Sequence, residues 1–179
     1  MIDMQITLDG NMEISAPSST TMSFLSNTRD VAACIPDSEG FTDIDGKKFT
    51  MKVRVGLGLV RGVFDMKGAI VDRQGNHIAY ELNGRGIGST AKITLALDVT
   101  EKAPGVTSAA WSSTFDLSGL ISGVGAGIIK KVSDSKIEEI IINLKAHIES
   151  STKQPNPTER PASSAPANAA GTQNTGQPK

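Results

Sequence analysis

Little in this sequence is equipped for chemistry. In 179 residues there is one cysteine, Cys34, and there are two histidines, His77 and His147, one tyrosine and one tryptophan. A lone cysteine forms no internal disulfide, and so sparse a set of Cys and His supplies no structural zinc ligands. That pattern suits a reducing compartment, and a cytoplasmic location is expected. Neither charge is in excess: 18 Lys and Arg against 19 Asp and Glu leave a net charge of -1. Such a balance builds no field to gather phosphate backbones, so nucleic acid is not expected as a partner. No stretch reaches about 18 uninterrupted apolar residues, and Met1-Ile2-Asp3-Met4-Gln5 has no basic region leading into an apolar run. Neither a membrane span nor an export signal is therefore expected. The length suits one domain with one core.

From about Ser151 the composition turns to Pro, Ala, Ser, Asn, Gln, Thr and Gly, and from Lys153 onward there is no Val, Ile, Leu, Met or aromatic residue. Ordering such a segment costs roughly 1–2 kcal/mol per residue, with no apolar burial to offset it. The expectation is one folded domain over residues 1–150 and a disordered tail over 151–179. Its prolines, Pro155, Pro157, Pro161 and Pro166, suit a tether as readily as a vector-derived remnant.

What is abundant is alternation. Met4, Ile6, Leu8, Met12 and Ile14 alternate with polar residues, and Gly10-Asn11 in the middle predicts a bulge or bend. Ser18 to about Cys34 reads as two short helices broken at Asn27-Thr28, ended because Pro36 disfavours helix at Ile35. Period two then resumes in Phe49, Met51, Val53 and Val55, in Phe64, Met66 and Ile70, and in Ile78, Tyr80 and Leu82. It continues through Ala91, Ile93, Leu95, Leu97 and Val99, and through Trp111, Phe115 and Leu117. Arg73-Gln74-Gly75-Asn76 and Ala103-Pro104-Gly105 supply the turns between them. One face of an antiparallel sheet is thus apolar and the other wet. Ile121, Val124, Ile128, Val132, Ile137, Ile141, Leu144 and Ile148 then form a stripe at helical spacing, predicting one long amphipathic helix over about 120–149 that covers the sheet. Within it, Ser133-Asp134-Ser135 is either a solvent-facing patch or a break, since Ser135-Lys136-Ile137-Glu138 reads as a capping box.

The predicted class is α+β: a curved antiparallel sheet of about seven strands around a long C-terminal helix, with two short helices after strand 1. This order resembles the helix-grip arrangement of the START and polyketide-cyclase-like superfamily, which implies an internal cavity between sheet and helix. Four places, Cys34–Asp37, Met51–Phe64, Gly84–Glu101 and Gly119–Gly127, also carry a resemblance to CoxG, a family of carbon monoxide dehydrogenase subunits. Cys34-Ile35-Pro36-Asp37 is similar to its Cys-Ile-Pro-Gly turn. Met51-Lys52-Val53-Arg54-Val55-Gly56 with Val60-Arg61-Gly62-Val63-Phe64 is similar to its basic strand pair. Gly84-Arg85-Gly86, leading into a strand that ends at Thr100-Glu101, matches its Gly-rich lead-in to the sixth strand. Gly119, Gly123, Gly125 and Gly127 match its small-residue helix opening. Asp37 stands where the family usually has Gly, and Leu59 where Pro is common.

The resemblance implies a non-catalytic accessory protein that binds a hydrophobic ligand and helps place or assemble a molybdenum-containing carbon monoxide dehydrogenase-type enzyme at the membrane. No tightly bound cofactor is expected; menaquinone or another lipophilic quinone, or a lipid, is the implied ligand. Members that anchor themselves carry an apolar C-terminal segment, whereas this chain reads Gly176-Gln177-Pro178-Lys179 there. The membrane contact implied is therefore peripheral, at the inner face of the cell membrane, or made through another protein. The residues expected to line the ligand site are Met51, Val53, Phe64, Met66, Tyr80, Leu82, Ile93, Leu95, Trp111, Phe115, Leu120, Val124 and Ile128.

Several features admit more than one explanation. Gly84-Arg85-Gly86-Ile87-Gly88 imitates a dinucleotide fingerprint but precedes a strand, so a bulged strand junction is expected. The glycines from Gly119 to Gly127 fit close approach of helix and sheet, a deformable portal with an apolar lip, or a lip that touches a membrane. The Tyr80 hydroxyl meets either a ligand or a backbone carbonyl. His77 and His147 are expected at the surface, and Cys34, with no neighbouring His, as a buried small side chain rather than a nucleophile. Lys52, Arg54, Arg61 and Lys67 form either a solvated face or a docking surface for an acidic partner. No catalytic or metal-binding residues are expected. The enzyme alternative, a START-like cyclase or hydrolase, needs polar groups in the pocket, and a pure protein adaptor needs no cavity.

Overall fold

Side chains that alternate in sequence stand on opposite faces of a pleated strand, so each period-two run commits one face to the interior. The computed structural model describes residues 3–153, and within them the runs form β1 (Met4–Ile14), β3 (Lys48–Leu57), β4 (Val60–Gln74), β5 (His77–Gly86), β6 (Ser89–Ala103) and β7 (Val106–Gly119). A short strand without alternation, β2 (Ser38–Asp43), adds a seventh. Two helices, α1 (Ser18–Leu25) and α2 (Thr28–Ala32), follow β1, and α3 (Ala126–Lys153) ends the described chain. The helices break where expected, because the Asn27 side chain accepts from the backbone N–H groups of Arg29 and Asp30 and caps α2.

The strands make one antiparallel sheet in the order β1-β7-β6-β5-β4-β3-β2. Six spacings of about 4.8 Å make such a sheet roughly 29 Å wide, whereas a helix is only about 10–12 Å across. One helix covers the apolar face only if the sheet curls around it, which is the helix-grip architecture.

Three expectations are corrected. β1 has no bulge at Gly10-Asn11: its pairing with β7 runs unbroken from Met4 opposite Leu117 to Ile14 opposite Thr107. Gly10 is there because it lies opposite Trp111, and a Cβ at residue 10 would sit 2.7 Å from the indole. The Gly84–Gly88 stretch is not a bulged junction either. Gly86 pairs with Ser89, leaving Ile87-Gly88 as a two-residue turn, and both have positive φ, 55° and 62°. Finally, the long helix does not begin near residue 120. Gly119 (φ 88°) and Gly125 (φ 102°) turn the chain through a 3-10 segment, Leu120–Val124, before α3 starts at Ala126. From there α3 is continuous through Ser133-Asp134-Ser135 and runs on to Lys153, past the expected boundary at 150. The rest of the tail, expected to be disordered, lies outside the described residues.

Asp37 has φ 61°, the left-handed region where Gly is free and Asp is tolerated. Its carboxylate lies 2.7 Å from Lys136 Nζ and so ties the α2–β2 turn to the middle of α3. Asp37→Gly relaxes the backbone as it removes this exposed pair, so its net effect on urea stability should stay within about 0.5 kcal/mol. Asp37→Ala loses the pair and keeps the strain, and should cost about 1 kcal/mol. A second check concerns Gly68, whose place on the inner face is filled by the buried Phe49 ring, 2.2 Å from where a Cβ would stand. Gly68→Ala should lower stability by about 1–3 kcal/mol in the same assay.

Candidate functional site

The interior is built from two clusters of buried apolar side chains. One joins Met12, Ile14, Leu25, Ile78, Tyr80, Leu97, Leu144 and Ile148 where α1 and the end of α3 meet the sheet. The other joins Ile6, Leu8, Phe49, Met51, Phe64, Met66, Leu117, Ile121 and Ile129 at the start of α3. Half-buried Leu82 and Trp111 border both. The helix follows the same division: Ile129 is 3% exposed, Leu144 6% and Ile148 0%, while Val132, Ile137, Ile140 and Ile141 between them are only half-buried. On the inner sheet face, half-buried Val53, Ile93 and Phe115 pack against the same cluster as Val132 and Ile137, and half-buried Leu95 packs against the same cluster as Ile140 and Ile141. The helix is seated at its ends, and apolar surface in between is left incompletely covered on both sides.

The expected site residues therefore separate into three groups. Met51, Phe64, Met66 and Tyr80 are buried in the clusters. Val53, Leu82, Ile93, Leu95, Trp111, Phe115 and Val124 are half-buried. Leu120 and Ile128 are mostly solvent-facing, because the late start of α3 turns Ile129 inward in place of Ile128. Missed in the sequence were Ile137, Ile140 and Ile141 as the helix side of this space; their period-3.6 spacing was the available signal. Two concavities lie elsewhere. A groove of about 570 Å³ on the outer sheet face is lined by residues including Asp65, Lys67, Asn83, Arg85, Lys92 and Asp116. Another of about 510 Å³ lies beside the α1–α2 junction, between Ser23, Ser26, Arg29, Asp43 and Arg73.

Polar groups in the interior are few, and most are engaged. The Tyr80 hydroxyl donates to the Leu25 carbonyl, and burial pushes its pKa well above the usual phenol value. Trp111 Nε1 is buried and, among the described residues, has no hydrogen-bond partner. Such an orphaned donor costs about 1–3 kcal/mol. Past the bulges near Ile70 and Glu101 the inward rows become charged, but these groups hold α1. Arg73 Nε donates to Ser26 Oγ at 2.8 Å, and a Glu101 carboxylate oxygen accepts from the Ser18 N–H at 3.0 Å. On the outer face Lys52 pairs with Asp65 at 2.6 Å and Arg54 with Glu39 at 3.7 Å. His77 lies between Asp98 at 2.7 Å and Asp72 at 3.6 Å. Among the described residues no three His, Cys, Asp or Glu side chains converge as metal ligands, and no helix is long and apolar enough to cross a membrane.

One correction concerns Cys34. Its Sγ lies 3.8 Å from His147 Nδ1, and the Asn143 amide donates to the Cys34 carbonyl at 3.0 Å. The three residue types resemble a thiol hydrolase set, but the geometry does not activate the sulfur. His147 Nδ1 is 2.8 Å from the Asn143 carbonyl, which only accepts, so that nitrogen carries the proton and cannot receive one from the thiol. Cys34 is fully buried, and desolvation, with the Asp30 charge second, raises its pKa from 9.0 to about 11.

With this geometry the class of protein is defined: a START-like helix-grip domain. Solved structures agree. A conserved protein from Geobacillus kaustophilus superposes with a TM-score of 0.74 at 18% identity, covering 82% of this chain and 97% of that one. A START superfamily protein from Mycobacterium smegmatis gives 0.61 at 19% identity, covering 80% and 97%. The Zhui aromatase/cyclase from Streptomyces sp. R1128 gives 0.62 at 11%, covering 84% and 97%. No curated protein matches the chain in sequence. The sequence model of CoxG, the G subunit of carbon monoxide dehydrogenase, matches residues 10–149, and the chain belongs to that family.

The thiol has a testable pH signature. A folded-state pKa above the unfolded value keeps the proton on in the native chain where the unfolded chain has lost it. The associated stability is present below pH 9.0 and declines as pH rises toward about 11. Alkylation of native Cys34 should thus be slow near neutrality and accelerate toward that upper value; rapid labelling at neutral pH would show an activated thiolate.

Proposed function

We propose that this chain is a non-catalytic carrier of a lipophilic molecule, a quinone or a lipid, and that it serves a molybdenum-containing dehydrogenase of the carbon monoxide dehydrogenase type at the inner face of the cell membrane. The observation that carries this reading is the pairing of two incompletely covered apolar surfaces, Val53, Leu82, Ile93, Leu95 and Phe115 on the sheet against Val132, Ile137, Ile140 and Ile141 on α3. Apolar surface left open costs about 25 cal/mol per Å², which an apolar occupant would recover. Family membership supports the choice of partner enzyme. General acid–base chemistry is disfavoured because these two surfaces carry no Asp, Glu, His or Lys, and the Tyr80 hydroxyl, buried in the neighbouring cluster, is spent on Leu25.

Native mass spectrometry and solvent extraction of the purified protein should reveal a co-purifying quinone or lipid. Phe115→Asp should abolish its retention, and Leu95→Trp, which fills the space without charging it, should reduce retention while the protein stays folded. Half-buried positions are the informative ones, since a charge at fully buried Phe64 would unfold the core. Unchanged retention in folded Phe115→Asp would place the ligand elsewhere. Turnover of a polyketide-like substrate would overturn the carrier reading altogether.

A further inference from the structure

The two ends of the sheet differ in a way that the interior does not require. At the end bearing α1 and α2, the turns are ordinary and charged, with Asp43, Asp45, Lys47 and Lys48 in one and Glu101 and Lys102 leading into another. At the opposite end lie the β3–β4 turn, the β5–β6 turn and the 3-10 segment before α3. Residues 56–63, 86–89 and 119–131 form these connections and contain no Asp or Glu. They are also contiguous. A Cβ on Gly62 would touch Ile87, a Cβ on Gly88 would touch Leu120, and the Leu120 N–H donates to the Gly88 carbonyl at 3.1 Å.

These connections hold large apolar side chains out in water. Leu59 is as bare as in an extended peptide, Leu120 is 62% exposed and Ile128 49%. Ile87, a β-branched residue, is kept at positive φ in the middle of the group. Exposed cations flank them: Arg61 beside the first turn, Lys130 and Lys131 beside Ile128. One exposed acid, Asp3, borders this end, where its carboxylate accepts from the Gly119 N–H at 2.9 Å.

We propose that this end of the molecule docks on an anionic lipid bilayer, with Leu59, Leu120 and Ile128 entering the interface and Arg61, Lys130 and Lys131 meeting headgroup phosphates. Apolar tips with a basic fringe are what an anionic membrane surface attracts. Separate side chains projecting from turn tips fit a soft, fluid surface, whereas a protein partner needs a continuous complementary patch with a buried centre. The inference deepens the carrier reading, because the glycine-rich link into α3 at this same end would then open toward lipid. The docking itself is measured independently of whether the interior holds anything.

The experiment is co-sedimentation of the full chain with vesicles of phosphatidylcholine alone and of phosphatidylcholine mixed with phosphatidylglycerol. The chain should follow the anionic vesicles, with at least about tenfold weaker binding to the neutral ones and a marked loss as salt rises. Leu59→Ser and the double variant K130E/K131E, all at exposed positions, should each weaken binding severalfold with unchanged thermal unfolding. Phe115→Asp, which empties the interior, should still bind. A wild-type chain that stays in the supernatant overturns the proposal, as do rim variants that bind like wild type. Capture of an acidic protein through the rim without vesicle binding would overturn it in favour of a protein partner. Vesicle binding with no co-purifying ligand would instead keep the docking surface and remove the carrier.

Discussion

A wide apolar sheet face with a single helix to cover it is the constraint from which the rest of this structure follows. Curling brings the outer strands toward α3, yet the helix meets the sheet closely only where other elements complete the packing. At one end α1 and β1 bury Leu144 and Ile148, and at the other the 3-10 segment and β3–β4 bury Ile129. Between these seats the side chains of helix and sheet face each other with less cover. Polar ties hold the helix in place without filling that interval. Lys136 reaches Asp37, Asn143 reaches the Cys34 carbonyl, and Glu149 accepts from the Ser15 N–H at 2.8 Å.

The same constraint explains why the inner surface is chemically quiet. An ionisable group on a face that must be covered pays a desolvation cost unless it finds a partner. Among the described residues, the inward rows become charged at the α1 end, where helix termini provide partners for Arg73 and Glu101. Tyr80 and Cys34 are the titratable groups drawn deepest, and both are held protonated by burial.

Much of the fold was legible from residue order because period two and period 3.6 are written locally. β3 to β7, the α1–α2 break at Asn27 and the turns at Gly75 and Gly105 all follow from patterns a few residues long. The seventh strand, β2, was not legible, since Ser38-Glu39-Gly40-Phe41-Thr42-Asp43 lacks alternation and pairs with β3 across a register shift. Glycine was misread for a related reason. A glycine in a strand signals either a backbone irregularity or a missing side chain that a neighbour needs, and only the neighbour tells them apart. At Gly10 it is Trp111, from more than a hundred residues away.

Residue order alone established the apolar inner face, the long covering helix and the family, because these depend on periodicity and on motifs read along the chain. Packing in three dimensions settled which inward side chains are sealed and which are partly open, that Ile129 faces in where Ile128 faces out, and that Cys34 and His147 lie side by side. It also gathered Leu59, Ile87, Leu120 and Ile128 at one end of the molecule. Burial and proximity between distant segments depend on how the sheet curls and where the helix is seated, and no local pattern encodes that distance.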